Sequence, residues 1–148
     1  MEGFPSEEDG FVRLVALILR FYSLLFHLLL SFLMAGVGGL AWLSGQHNLQ
    51  IWLLPWQGTT LTYWLLGAGA AGLAITLLAW KRIMPLLFLA WSVVVFVMLV
   101  RGYFFGSYHF GLGSTPITTA LLIVLLALLA VAGAWFQFRS GKYRKAIY

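Results

Sequence analysis

Long apolar runs, broken at short polar intervals, dominate the chain from Phe11 to Phe138. An apolar stretch of about 20 residues reads as a membrane-crossing helix, because a rise of about 1.5 Å per residue then covers the roughly 30 Å hydrocarbon core. The first run, from Phe11 to Leu43, exceeds one crossing and is divided by Arg13 and Arg20. It predicts a helical entry along the membrane interface over 11–20, continuous with a span over 21–43. A second span is predicted over 61–80, stopped by Lys81 and Arg82. The third begins at Pro85, which suits a first helical turn because proline has no N–H to leave unpaired there, and runs over 85–100. The fourth covers 116–138, with Thr115 as its N-cap and Arg139 closing it. The expected fold is all-α: four transmembrane helices in an up-down bundle over 11–138. An exposed acidic segment, 1–10, precedes it, and a basic cytoplasmic tail, 139–148, follows.

Charge then orients the bundle. Arg13, Arg20, Lys81, Arg82, Arg139, Lys142, Arg144 and Lys145 are eight of the nine basic residues, and four spans put all eight on one side. The excess of Lys and Arg marks the cytoplasmic side, so both termini are expected inside. The loops over 44–60 and 101–114 are then expected outside. Trp42, Trp52, Trp56 and Trp64 fall near the outer interface and Tyr22, Trp80 and Trp135 near the inner one, as amphipathic rings prefer. Trp91 is the exception, deep in the third span and expected to pack on a neighbour. Within the first outer loop, the apolar stretch from Ile51 to Trp56 is too short to cross. It predicts a short interfacial or re-entrant element.

Composition narrows the chemistry. The chain is 62% hydrophobic and 9% charged, against about 25% charged in soluble domains. Its net charge of +5 arises at span ends, so it reads as a topology signal rather than a nucleic-acid surface. With no cysteine, disulfides, thiolate metal sites and cysteine nucleophiles are excluded. Glu2, Glu7, Glu8 and Asp9 are the only acids. Nothing beyond Asp9 can serve as a carboxylate acid, base or proton relay. The acidic start lacks the basic n-region of a cleaved signal, so the N-terminus is expected to be retained.

Three patterns remain. Gly67-Ala-Gly69-Ala-Ala-Gly72 matches G-x-G-x-x-G, but a dinucleotide fingerprint needs a preceding strand and a following acid, and no acid follows. Small residues at this spacing instead let helices approach closely. Gly67 with Ala71, Ala68 with Gly72, Gly69 between them, and Ala35 with Gly39 are expected to pack helices, as are Ala120, Ala127 and Ala134 at heptad spacing.

The second pattern is a polar stripe in span one, Arg20, Ser23, His27 and Ser31, whose spacings share one helical face. Polar groups in hydrocarbon are expensive, so this face should meet protein or a crevice. His27 reads first as a neutral ring bonded to a serine or carbonyl. Contact with a quinone or lipid headgroup, and haem ligation, are the alternatives. No span offers a second histidine for a bis-histidine haem, so a quinone or haem is expected only as a group shared with a partner subunit. His47 and His109 alone make a weak metal site, and no metal is expected.

Arg101 is the third feature, the one basic residue on the outer side. It reads as an interfacial anchor, or as part of a docking surface with Tyr103, Tyr108 and His109 for an acidic partner or anionic headgroup. Together these features predict a non-catalytic accessory or anchoring subunit of a larger membrane complex, such as an electron-transfer assembly, in a bacterial inner membrane. Membrane lipids and other integral subunits are the expected partners. The alternative is a quinone-, haem- or lipid-binding protein, or a small solute transporter, using the polar face of the first span.

Overall fold

The computed structural model describes residues 7–45, 48–51, 54–105 and 117–145. Within them the chain is all-helical, with one isolated bridge between Gln50 and Gln57. Its elements are α1 (Glu7–Leu43), α2 (Gly58–Trp80), α3 (Pro85–Val100), a π-helical turn (Arg101–Phe105) and α4 (Ile117–Lys145). Among the described residues four helices are long and apolar enough to cross a membrane.

The interfacial entry and the first span form one helix of 37 residues, about 55 Å long. Nothing between Phe11 and Leu43 breaks it: Leu and Ala are good helix formers and no proline intervenes. It ends at Leu43, and the turn that follows is closed by Gly45, whose φ of 65° is the left-handed conformation that glycine adopts freely. The third span is longer than its sequence reading. The 16 residues of α3 rise only about 24 Å, and the π-helical turn carries the span on to Phe105. Helix α4 likewise runs past Phe138 through the basic residues to Lys145, since Arg and Lys favour helix once clear of the bilayer. The loop stretch expected to be an interfacial element is not helical where described. The Gly58 N–H donates to the Leu49 carbonyl at 2.8 Å, and Trp56 stacks on Trp64 at 4.4 Å. Trp52 and the N-cap position Thr115 lie outside the described residues.

The interior is built from small residues. Of the eleven buried apolar residues described, seven are alanines, and Leu61 and Leu65 are the only large aliphatic ones among them. Lipid is as apolar as leucine, so burying leucine between helices gains little. Close backbone approach gains dispersion contacts instead. Helix α1 packs on both α2 and α4, while α3 packs on α4 and less on α2. Along α1, Ser31, Ala35 and Gly38 meet Gly72, Gly69 and Leu66 of α2 in that order. Leu19 and Ser23 meet Gly133 and Ala130 of α4. Gln137 of α4 donates from Nε2 to the Ala79 carbonyl of α2 at 2.6 Å. Near Gln137 residues of all four helices come together, with Leu24 of α1 and Leu89 of α3 packed against the others. Ala79, Phe88 and Ala134 form a tight cluster there.

Candidate functional site

The polar stripe of α1 is turned inward. Ser23, His27 and Ser31 are buried and Arg20 is half-buried. Ser23 Oγ donates across the interface to the Ala130 carbonyl of α4 at 2.6 Å. One turn along, His27 Nδ1 lies 2.8 Å from the Ser23 carbonyl of its own helix. A carbonyl only accepts, so Nδ1 carries the proton and donates. In the neutral ring Nε2 therefore holds a bare lone pair, and no partner for it occurs among the described residues. The ring is held edge-on between Phe26 and Phe88, with centroids at 5.3 and 5.0 Å. Ser31 fills the space left by the missing side chain of Gly72. The stripe is thus a packed polar seam. Tyr22, adjacent to it, donates to the Leu126 carbonyl at 3.0 Å.

The small residues divide into two sets. Gly69 and Gly72 are buried: a Cβ on Gly69 would lie 2.5 Å from the Ala35 nitrogen, and one on Gly72 would lie 2.9 Å from Trp91 Cζ2. Ala120, Ala127 and Ala134 are buried along α4. Ala35 and Ala68 are half-buried. Gly39 is looser than its neighbour: its Cβ would reach only Leu66 Cδ2 at 4.0 Å, whereas one on Gly38 would meet the Leu66 nitrogen at 2.9 Å. Gly67 and Ala71 face outward, and nothing described lies within 4 Å of a Cβ on Gly67.

Arg101 and Tyr103 part company. Both stand in the π-helical turn, but Arg101 is exposed and Tyr103 is buried. The turn's extra residue per cycle rotates the chain so that Gly102 and Tyr103 face in. Tyr108, His109 and His47 lie outside the described residues. Among the described residues no group of three metal-ligating side chains occurs.

Several residues escape a reading of the pattern. Gly133 packs against the Leu19 backbone. Its signal was the run Ala130, Gly133, Ala134, Gln137, spaced as one helical face. Ser92 of α3 is buried with its hydroxyl unpartnered among the described residues, as is Trp91 Nε1. A cavity of about 270 Å³ lies between α1, α2, α3 and the first loop, with Met34, Trp56, Ala68, Trp91, Met98 and Leu99 in its wall. None of the four stripe residues lines it. A shallower groove of about 350 Å³ runs along Tyr63, Gly67, Ala71 and Trp91. Comparison of the chain with protein-family models, with curated proteins and with solved structures finds no match.

Proposed function

We propose that this protein is a four-span, up-down bundle of a bacterial inner membrane, with both termini cytoplasmic. In this reading it acts without catalysis of its own, as an accessory or anchoring subunit of a larger membrane complex. One observation carries the reading. Gly67, Ala70, Ala71 and Ala74 form an exposed small-residue face on α2, with the pairs Gly67–Ala71 and Ala70–Ala74 at the spacing that seats a helix. The bundle's own seam uses Gly69 and Gly72 instead, so this second face is left for a helix of another subunit. The lack of any carboxylate beyond Asp9 supports a role in assembly over proton-coupled transport or hydrolysis. An electron-transfer complex fits the class, with any quinone or haem shared with the partner.

Orientation is tested with reporter fusions. A cytoplasm-dependent reporter at the C-terminus should be active and the same reporter in the 44–60 loop silent; the reverse pattern would end the orientation. Assembly is tested by native electrophoresis of mildly solubilised host membranes. Wild type should migrate within a larger complex. A Gly67→Leu, Ala71→Leu double variant should insert and fold normally but migrate alone. A wild-type chain that migrates alone would remove the accessory-subunit reading.

A further inference from the structure

One wall of the cavity is formed by α3, and Arg101 stands in the π-helical turn that continues that helix. The wall of the cavity climbs α3 from Trp91 to Met98 and Leu99, where Ile51 and Trp56 of the first loop join it. Arg101 follows two residues after Leu99 and is exposed. It does not stand clear of the apolar segment: the span continues to Phe105, and Phe104 and Phe105 beyond it are themselves exposed. A cation at that depth needs an anion, or must reach for one. The sequence holds no Asp or Glu beyond Asp9, so none is near Arg101 along the chain. A lipid phosphate can supply the counter-charge that the neighbouring chain lacks.

We propose that the cavity holds one acyl chain of a membrane phospholipid whose phosphate is bound by Arg101. The wall is apolar throughout apart from the indole nitrogens, as a hydrocarbon chain requires. Its volume of about 270 Å³ falls just below the roughly 300–1,000 Å³ of sites that enclose a whole small molecule. A two-chain lipid does not fit, whereas the end of one chain does, the rest lying against the surface. Leu33, Trp64 and Val94 line the cavity and are also 50% or more exposed. The cavity therefore opens sideways into the hydrocarbon, and a chain enters without crossing water. A lipid seated this way brings its phosphate to the outer end of α3, where a guanidinium binds it through two parallel hydrogen bonds.

The test uses the full chain, purified in mild detergent and stripped of lipid. Phosphatidylglycerol, and diacylglycerol with the same chains, are added, and bound lipid is counted by native mass spectrometry. Wild type should bind one phosphatidylglycerol and prefer it over diacylglycerol by about fivefold, the value of about 1 kcal/mol per basic residue near a lipid surface. Arg101→Gln, at an exposed position, should erase that preference and leave diacylglycerol binding unchanged. Ala68→Leu fills the cavity and should lower binding of both lipids about tenfold. Equal binding of the two lipids by wild type, or an unchanged preference in Arg101→Gln, would overturn the proposal even if Ala68→Leu fails to fold. Trp91→Phe removes the unpartnered indole N–H but also trims the cavity wall, so it should lower binding of both lipids alike and keep the preference for phosphatidylglycerol. A preference lost in that variant and kept in Arg101→Gln would also overturn the proposal, in favour of a ligand held by the Trp91 indole.

Discussion

Gly133→Ala is expected to unfold the contact between α1 and α4, and to do so with a single methyl group. A Cβ at Gly133 would collide with the Leu19 carbonyl oxygen and lie 2.7 Å from both the Leu19 carbon and Ser23 Cβ. Two of those atoms are backbone, so no rotamer change relieves the clash and the helices must move apart. Separation would also stretch the Ser23 Oγ bond to the Ala130 carbonyl, now 2.6 Å. Both groups are buried and find no replacement partner in lipid. Overpacking typically costs about 1–3 kcal/mol, and a backbone collision coupled to a broken hydrogen bond places this variant at or above the upper end. The measurement is unfolding of purified protein by titration with a denaturing detergent. The transition should fall sharply for Gly133→Ala and stay in place for Gly67→Ala, where nothing described lies within 4 Å. Equal transitions for the two would show that α1 and α4 do not approach as closely as the structure has them.

Gly72→Leu should be nearly as damaging, for a different reason. The missing side chain of Gly72 is the slot for the Ser31 hydroxyl, and Trp91 Cζ2 closes the other side at 2.9 Å. These are side-chain atoms and can yield. Alanine at position 72 should therefore cost about 1 kcal/mol, and leucine about 3 kcal/mol or more, because it must displace an indole as well. Yield of monodisperse protein and the same detergent titration read the series, in the order Gly, Ala, Leu. Position 69 should keep that order but suffer more at alanine, since the atoms at 2.5 and 2.8 Å from a Cβ there are Ala35 backbone and cannot yield by a rotamer change. Leucine tolerated at both 69 and 72 would refute this seam between α1 and α2.

What a linear pattern can carry, it carried here. Apolar run length alone determined the number of membrane-crossing helices, because hydrocarbon thickness is a fixed ruler and each crossing is a local property of about 20 consecutive residues. The inward-facing stripe of Ser23, His27 and Ser31 was legible too, since a polar residue in lipid has only one favourable direction. The choice among small residues was not. Gly67, Gly69 and Gly72 are alike by composition, and which of them meets a neighbour depends on the rotation of α2 about its axis. Contacts with Ala35 and Ser31, more than 30 positions away in sequence, set that rotation. Gly133, Gln137 and Ser92 went unread for the same reason, as did the cavity beside Trp91: each acquires meaning only from what a different helix places opposite it. The π-helical turn that sends Arg101 outward and Tyr103 inward is likewise a tertiary decision. An extra residue in one turn rotates every side chain after it, and no hydrophobic period announces it in advance.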